Sequence, residues 1–387
     1  MRADHLSSPA AQKAKSDRGT QSLIDAIKSC PEVAVDYGCV DGGEPGIMLA
    51  RKFPSCRVHI VADNMKCAQA AEKSAASDQL GNLTIHVDDT LRCLDGEVAD
   101  VIMMKPSSYE GKQVIHTRIK EARAHLRLGG QFFVQTHMRQ GAPSLIKMME
   151  EIYGNAEIIA RGGGGIRVVR ATKVALELKN SPSEQMSDRI EAEISGRSYR
   201  FVTEQSLFSR ERIDPGTLLL LESVDTAGAK TILDLGCGYG VIGIVMATSH
   251  PASKVFLVDV DAQAVRAARE NARLNKCEEN TQVLVSDGVR GVAGVTFDLI
   301  LSHFPLHIPK QDQVRLLAEA RDALTLGGRF CLVALAAYNL RPAMKSVFGN
   351  VTAIADTTYK EDNSERYRVL CSTKESRGTE SIVGLLP

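Results

Sequence analysis

A glycine-rich segment in the C-terminal half of the chain has the composition of a ligand-binding turn. It is Asp234-Leu235-Gly236-Cys237-Gly238-Tyr239-Gly240, and it ends a short apolar run that begins at Thr231. Glycines permit a tight turn and a close approach of a ligand to the backbone, and a helix that follows presents free N–H groups to a negatively charged group. A plain strand-to-helix turn is the competing interpretation, so the acids that follow the loop must decide between the two.

Two acids lie at the ends of the next apolar runs. Asp259 comes about twenty residues after the loop, where an acceptor for the two hydroxyls of a ribose is expected. Asp261 lies close by, but the alternation of apolar and polar residues favours Asp259. Asp287 follows the third run, where its carboxylate or the neighbouring backbone could bind an adenine amino group; a turn-forming role is the alternative. The ordered series predicts a site for a nucleoside-containing cofactor.

Alternating strands and helices must position these residues. The pattern predicts strands at Thr231 to Leu235, Lys254 to Val258 and Phe297 to Leu301, with helices at Val241 to Thr248 and Ala262 to Leu274. Strands that alternate with helices of about 10 to 15 residues indicate an α/β fold, with a mainly parallel sheet and helices on both faces.

The whole pattern occurs twice. The segment around Asp36 matches the segment around Asp234 at an offset of 198 residues, the difference between those two positions. At the same offset Gly129-Gly130 matches Gly327-Gly328, which we interpret as a helix stop and turn before a strand. We therefore predict two tandem Rossmann-like domains. The expected boundaries are a first domain at 1–178, a linker at 179–196 and a second domain at 197–387.

Composition excludes several classes of protein. The 47 basic and 47 acidic residues balance, so any surface for nucleic acid must be local. No apolar run approaches the roughly 18 residues of a membrane span, and the first residues lack the apolar core of a signal peptide; the acids there also disfavour a transit peptide.

The cysteines favour a reducing compartment. The nine cysteines form no Cys-x-x-Cys pair, so we predict no metal site and reduced core cysteines in a cytoplasmic protein. The oligomeric state stays open, and a monomer is compatible with the sequence.

The motifs resemble those of a known enzyme family. The glycine loop, then Leu257-Val258-Asp259-Val260-Asp261, then Ser286-Asp287-Gly288, is similar to motifs one to three of class I S-adenosylmethionine (SAM)-dependent methyltransferases. Leu207-Phe208-Ser209 and the run from Ile213 to Leu221 resemble the segment before the loop in RsmC-type small-subunit ribosomal RNA guanine-N2 methyltransferases. Those enzymes are also tandem duplications with a degenerate N-terminal copy. The resemblance implies SAM as cofactor, ribosomal RNA as partner and a guanine exocyclic amine as methyl acceptor.

The resemblance also implies roles for single residues. Asp234 would face the methionine amino group of SAM, Gly236 and Gly238 the methionyl backbone, Asp259 the ribose hydroxyls and Asp287 the adenine. The full set expected to bind the cofactor is Asp234, Gly236, Cys237, Gly238, Gly240, Asp259, Val260, Asp287 and Gly288.

The segment expected to bind the methyl acceptor departs from the family pattern. Family members carry Asn-Pro-Pro-Phe-His, in which the Asn side chain and a Pro carbonyl accept hydrogen bonds from the target amine and the Phe stacks on the base. This chain has Ser302-His303-Phe304-Pro305-Leu306-His307. We expect Ser302, His303, Phe304 and Pro305 to form the catalytic site, with neutral His303 accepting a hydrogen bond and Phe304 stacking on the base.

Several interpretations of this altered segment stay open. The site methylates an exocyclic amine with different groups, or it acts on another nucleotide atom or a small molecule with His303 as a base. A third interpretation is that catalysis has been lost and the chain binds RNA only. A purely structural role for His303 in a polar loop is the simplest alternative.

The N-terminal copy lacks residues that SAM binding requires. Val40 stands where the second copy has Gly238, and Val61 stands opposite Asp259. The segment 105–109, Lys-Pro-Ser-Ser-Tyr, stands opposite the acceptor segment and supplies no matching chemistry. We predict that this copy binds no SAM.

The second half of that copy is basic. Between Lys105 and Lys173 there are twelve Lys and Arg against five Asp and Glu. The stretch from Arg161 to Lys173 combines four glycines with basic residues and contains no acid. We predict an RNA-binding platform there; a solvated surface with a flexible hairpin is the alternative.

Overall fold

The structure, a computed structural model, describes residues 9–39, 41–106, 111–175, 188–204, 207, 209, 211–358 and 366–376. The chain divides into two compact units, Met1–Met186 and Ser187–Pro387. The second unit thus begins inside the segment that was expected to be a linker. In that segment β8 (Asp188–Ile194) pairs with β9 (Arg197–Thr203) as an antiparallel hairpin. The buried side chains of Ile190 and Ile194 explain the difference, because they anchor this stretch in the second core.

The first unit is an α/β domain with helices on both faces of one sheet. Its elements are α1 (Pro9–Ala26), β1 (Val33–Cys39), α2 (Glu44–Lys52), β2 (Arg57–Ala62), α3 (Met65–Ser77), β3 (Leu83–Val87), β4 (Ala99–Met104), α4 (Lys112–His125), β5 (Leu126–His137), α5 (Ala142–Tyr153), β6 (Glu157–Arg161) and β7 (Ile166–Thr172). Over its described residues the sheet has seven strands in the order β3-β2-β1-β4-β5-β7-β6, with β7 antiparallel to its neighbours.

The second unit repeats this topology. After the β8–β9 hairpin come α6 (Pro215–Ser223), β10 (Thr231–Leu235), α7 (Val241–Ser249), β11 (Lys254–Asp259), α8 (Ala262–Leu274), β12 (Thr281–Val285), β13 (Phe297–His303), α9 (Lys310–Ala323), β14 (Leu324–Leu335), α10 (Arg341–Phe348), β15 (Thr352–Thr358) and β16 (Arg366–Thr373). Counting described residues only, its main sheet has the order β12-β11-β10-β13-β14-β16-β15, again with seven strands and with β16 antiparallel to its neighbours.

Each face of the second sheet carries its own core. Ile232, Leu257 and Leu301 belong to the core that includes the buried residues of α7 and α8. Phe297 and Phe330 belong to the opposite core, with buried residues of α9 and α10. Strands buried on both faces read as nearly continuous apolar runs, which is why the pattern identified them. The predicted fold class, two tandem α/β domains, is confirmed.

Two local predictions differ from the structure. Strand β13 continues through His303, so Ser302 and His303 lie on the strand and not in a loop. Gly327 and Gly328 lie inside the long strand β14, where the pairing with β13 is irregular, and do not stop a helix. The φ angle of +78° at Gly327 is the reason glycine is needed there, since irregular positions in strands often require positive φ.

The cysteine prediction is also corrected. Cys331 and Cys371 form a disulfide, because they lie directly opposite each other on β14 and β16 with Cα atoms 4.2 Å apart. Over the described residues, no helix is long and apolar enough to cross a membrane. The same part of the chain shows no cluster of His, Cys, Asp or Glu suited to a metal ion.

Candidate cofactor and acceptor site

The glycine loop of the second unit borders open space at the end of β10. Gly236, Gly238 and Gly240 have φ angles of +75°, +54° and +94°. A β-carbon placed on Gly236 or Gly238 would meet no heavy atom within 4 Å, whereas one on Gly240 would lie 3.1 Å from Ala268. The first two glycines therefore leave room for a ligand. Gly240 instead allows α7 to pack against α8.

Backbone hydrogen bonds fix this loop to the neighbouring strand. The N–H groups of Gly236 and Cys237 both donate to the carbonyl of Val258, at 2.9 and 3.0 Å. The Cys237 side chain is buried in the core, so any contact it makes with a ligand must come from its backbone.

Asp234 is completely buried before the loop. Its Oδ2 accepts a hydrogen bond from the N–H of Gly243 at 2.8 Å, and its Oδ1 has no hydrogen-bond partner in the described part of the chain. Burial raises the pKa of Asp234 to about 7, although the Gly243 N–H opposes the rise. A buried acceptor with unused lone pairs is suited to a cationic donor from a ligand.

Asp259 ends β11 beside the loop. Its Oδ2 accepts from Gly238 N–H at 2.8 Å and its Oδ1 from Asp261 N–H at 3.0 Å. Burial raises the pKa of Asp259, while backbone N–H groups, including that of Val260, and the nearby His307 lower it. Each oxygen keeps a further lone pair, so the carboxylate can shape the loop and still accept from a ligand hydroxyl.

Asp287 lies in a network of ion pairs after β12. Its Oδ1 lies 2.7 Å from Arg315 and its Oδ2 lies 3.0 Å from Arg290, so arginines engage both oxygens of this buried carboxylate. Gly288 has a φ of +65°, and a β-carbon there would collide with Glu319. The carboxylate is therefore part of an ion-pair network, and a contact with adenine at this position would use a remaining lone pair or the neighbouring backbone.

The segment predicted to be catalytic divides between core and surface. Ser302 is completely buried, and its hydroxyl donates to the carbonyl of Leu235 at 2.6 Å. Phe304 is 1% exposed and belongs to the core with α9 and α10, so its ring is not available to stack on a base as predicted. The cause is strand geometry: the Phe304 N–H still pairs with Val333, which directs the ring to the core face. Pro305 is partly exposed just beyond the strand.

His303 lies at the end of β13 with a partly exposed side chain. Its Nδ1 is 3.0 Å from the hydroxyl of Thr217 and 3.6 Å from Oδ1 of Asp214. Burial lowers the pKa of His303, and the Asp214 charge opposes that effect. The ring is therefore neutral near pH 7, and a neutral imidazole has one donor and one acceptor nitrogen.

A comparison with models of known protein families identifies the domain that the two units share. The model of the methyltransferase small domain matches the chain twice, at residues 10–170 and 198–360. The chain belongs to the methyltransferase small domain family. The two matches coincide with the two units, which confirms that the chain contains two copies of one domain.

Curated relatives and one solved structure extend the comparison. The ribosomal RNA small subunit methyltransferase C of Pseudomonas entomophila is 36% identical over 173 residues, which is 44% of this chain and 51% of that protein. The chain thus spans about half the length of that relative. The ribosomal RNA large subunit methyltransferase G of Stutzerimonas stutzeri is 28% identical over 80% of this chain and 76% of its own length. One similar structure is that of the Thermus thermophilus 16S rRNA N2 G1207 methyltransferase (RsmC), solved with AdoMet and guanosine. The two structures have a TM-score of 0.71 at 22% identity, and the match covers 92% of this chain and 91% of that one. This likeness establishes the fold.

Sequence reasoning missed part of this methyltransferase-domain site. Asp214, Thr217 and Tyr367 surround His303, but none was assigned a role. Asp214 caps α6 by accepting from the N–H groups of Gly216 and Thr217, and Asp before a helix that starts with Pro is a recognisable cap signature. Tyr367 donates its hydroxyl hydrogen to Asp214 from 153 residues away, and no local pattern could reveal that contact.

The corresponding site of the first unit is filled by its own side chains. A β-carbon on Gly38, the counterpart of Gly236, would collide with the guanidinium of Arg118. Arg118 pairs with Asp63 at 2.7 Å, and its Cζ lies 5.5 Å from the centre of the Tyr37 ring. Lys105 forms a second ion pair with Asp41. Val40 and residues 107–109 lie outside the described residues. The comparison of the two units at this position therefore depends on the ion pairs of Arg118 and Lys105.

The basic residues between Arg161 and Lys173 of the first unit differ in their exposure and in whether they have partners within the protein. Arg161 is exposed at the end of β6, before the glycine tetrad (Gly162–Gly165). Arg170 pairs with Glu157, and Lys173 donates to the carbonyls of Ala124 and Leu126. Basic residues with internal partners are less available to phosphates, so any RNA surface here must centre on the tetrad.

Proposed function

We propose that this chain transfers a methyl group from SAM to a base of ribosomal RNA, with a guanine exocyclic amine as the acceptor. The second unit would bind the cofactor and carry the reaction. One arrangement carries the proposal: the buried Oδ1 of Asp234 without a partner among the described residues, the open faces of Gly236 and Gly238, and Asp259 on the next strand. The relatives named as ribosomal RNA methyltransferases support the choice of substrate.

The residues of the second unit fit SAM. Asp234 would hold the methionine ammonium, because a buried carboxylate oxygen gains most from a charged donor. Asp259 would accept from the ribose hydroxyls, and the backbone of Gly236 and Gly238 would border the methionyl part. When bound, SAM supplies a methyl group on a positively charged sulfur. The first unit does not fit SAM, because Arg118 fills the position opposite Gly236 and an Arg would repel the sulfonium.

The acceptor side must hold an amine that is a poor nucleophile while its lone pair is delocalised into the base. Groups that accept its hydrogens help that lone pair to localise. His303 at the end of β13 is suited to this task as a neutral acceptor, and backbone carbonyls near it would take the second hydrogen. The His303 ring thus takes the place of the amide that related enzymes carry.

The proposal is tested with purified chain, SAM and ribosomal RNA from a strain that lacks the gene. Calorimetric titration should give one SAM site per chain. Labelled methyl groups should enter one ribosomal RNA, and nucleoside mass spectrometry should identify N2-methylguanosine. RNA of both subunits must be tested, because the relatives include enzymes named for each. Two SAM sites, no SAM site, or transfer to proteins or small molecules in preference to RNA would contradict the proposal.

A second candidate is an RNA-binding protein that no longer transfers methyl groups. The burial of Phe304 and the replacement of the amide acceptor by His303 favour it. Binding of both SAM and RNA without any methylated product, with RNA of either subunit, would select this candidate.

A further inference from the structure

A buried polar network holds His303 from two sides. Tyr367, Asp214 and Thr217 are 4%, 8% and 7% exposed, and the sequence assigned a role in the site to none of them. The Tyr367 hydroxyl donates to Oδ2 of Asp214 at 3.0 Å, and the His303 ring packs edge-to-face on the Tyr367 ring with centroids 6.3 Å apart. Buried polar groups with this degree of mutual satisfaction are held in one arrangement.

The carboxylate of Asp214 lies on the Nδ1 side of the His303 ring and favours a proton on that nitrogen. A carboxylate only accepts hydrogen bonds, and its Oδ1 lies 3.6 Å from Nδ1. Oδ1 also accepts from the N–H of Gly216 at 2.7 Å, so the carboxylate is fixed by the first turn of α6 and cannot turn away. The negative charge favours hydrogen on Nδ1, with the Thr217 hydroxyl 3.0 Å away as its hydrogen-bond acceptor. The lone pair of the neutral ring is then on Nε2.

We propose that Asp214, supported by Thr217 and Tyr367, is a positioning residue that holds His303 in its Nδ1-protonated tautomer, so that Nε2 acts as the base for the acceptor amine. This inference rests on the proposed function. As the amine nitrogen forms its bond to the methyl carbon, the carbon–sulfur bond breaks and its electron pair leaves with sulfur. The nitrogen then carries one proton too many. Nε2 takes that proton, Asp214 stabilises the resulting imidazolium, and the proton passes to water after product release.

His303 stands where related enzymes carry Asn, and this difference changes the chemistry that the position can perform. An amide can accept a hydrogen bond but cannot take a proton near neutral pH, whereas imidazole can do both. Among the described residues, the titratable groups placed against the ring include Asp214 at the start of α6 and Tyr367 on β16. Burial lowers the pKa of His303, which keeps the ring unprotonated and ready to accept near pH 7.

The first measurement does not depend on activity. Protein labelled with ¹⁵N-histidine reports the tautomer of each ring through the shifts of Nδ1 and Nε2, and the signals missing from His303→Asn assign this residue. Wild type should show Nδ1–H, and Asp214→Asn should shift the ring toward Nε2–H. Asparagine caps a helix about as well as aspartate, so this variant keeps α6. Wild-type His303 with its hydrogen on Nε2 would overturn the inference, whatever the substrate proves to be.

The second measurement uses turnover on the RNA that wild type methylates. Asp214→Asn should lower kcat by about 10²-fold, the scale of a positioned base, while KM for RNA and the affinity for SAM stay within about twofold. The acidic limb of the pH profile should move to lower pH, because loss of the Asp214 charge lowers the pKa of His303. Tyr367→Phe should give a smaller loss in the same direction. Equal losses in SAM affinity and kcat, with an unmoved pH limb, would reduce Asp214 to a helix cap. If wild type methylates no RNA, the proposed function fails while the tautomer result still decides the inference.

Discussion

The raised pKa of Asp234 predicts how cofactor affinity should depend on pH if this carboxyl group binds SAM. Its pKa is raised to about 7 by burial, so the group is largely neutral at pH 6 and ionised at pH 8. If it holds the ammonium of SAM, only the ionised form binds well. The dissociation constant should therefore fall from pH 6 to pH 8, by up to about tenfold per pH unit below the pKa. Calorimetry at several pH values measures it, with Asp234→Asn as the variant that should bind weakly and without this dependence. A flat pH profile in wild type would contradict the assignment.

The same carboxyl group should affect folding in the opposite sense. Between about pH 4 and pH 7 the unfolded chain loses the Asp234 proton, whereas the folded chain keeps it. The unfolded state thus binds fewer protons, so the free energy of unfolding falls as pH rises through this window. Asp36 has a pKa raised to about 7 in the first unit and adds a similar effect. In Asp234→Asn, urea unfolding of the protein without SAM should show a smaller decrease in the free energy of unfolding across this pH range. The contribution of Asp36 to that decrease should remain. An unchanged fall would mean that Asp234 is already ionised in the folded protein.

Asp259 and Asp261 are two residues apart but should behave differently when substituted. Asp259→Ala removes an acceptor from the open side of the glycine loop and should weaken SAM binding by about 1 to 3 kcal/mol. Asp261 caps α8 by accepting from the N–H groups of Gln263 and Ala264. Asp261→Ala should therefore lower the free energy of unfolding by about 1 kcal/mol with little change in SAM affinity. Equal effects of both variants on SAM binding would contradict the separation of roles.

The spacing of the motifs located the residues of the glycine loop. It could not show what each side chain packs against, which decides whether that side chain can reach a ligand. Asp234, Gly236 and Gly238 lie at the loop as expected, because short strand-to-helix connections keep near neighbours together. Phe304 was misjudged, because only the extension of β13 shows which face its ring occupies. The pattern also gave no sign of the ion pair between Asp287 and Arg315 of α9, which lies 28 residues further along the chain. Such contacts follow from tertiary packing and leave no mark on local sequence.

At the scale of elements, α4 of the first unit fills the space that corresponds to the open side of the glycine loop in the second unit. Arg118 projects from this helix to Asp63, and burial raises the pKa of Asp63 while Arg118 lowers it. Breaking a buried ion pair by removing one partner costs about 3 to 5 kcal/mol, because the remaining charge is left uncompensated. Arg118→Met should therefore destabilise the first unit, as measured by urea unfolding, and calorimetry should still detect one SAM site. A second SAM site in this variant would mean that Arg118 alone prevents binding.

Element order could be predicted more reliably than element ends. The strands and helices around the loop agree with the pattern within a few residues, since buried parallel strands have a strong apolar signature. Strand β8 was missed because Asp188 to Ile194 begins in a polar, serine-rich region and shows only a short alternation. Gly129 and Gly327 were predicted to stop a helix and form a turn, but both lie within long strands at positions with positive φ.

At the scale of the whole molecule, duplication has produced two units with one topology and different surfaces. The second unit keeps an open loop at Gly236 and Gly238, while the first has replaced that space with ion pairs. We predict that the exposed basic residues beside the glycine tetrad contact RNA.

That surface can be tested by charge reversal. Arg161 is exposed immediately before the tetrad, and exposed Arg139 follows His137, whose ring contacts the Gly164 carbonyl. If both arginines bind phosphates, Arg139→Glu with Arg161→Glu should weaken RNA binding by about tenfold or more. The double variant should also lower the slope of log affinity against log salt by about 1.4, because each phosphate of a single strand that the protein neutralises adds about 0.7 to that slope.

A charge-matched control separates local binding from a general effect of net charge. Lys73 on α3 and Lys147 on α5 are exposed basic residues of the same unit, outside the tetrad surface. Lys73→Glu with Lys147→Glu changes the net charge equally and should leave both the affinity and the salt slope close to wild type. Fluorescence anisotropy with a ribosomal RNA fragment measures both quantities across about 50 to 200 mM salt, the range in which binding through phosphates is most sensitive. Equal losses in the two double variants would show that the first unit attracts RNA through its overall charge, and that the tetrad surface has no special part in it.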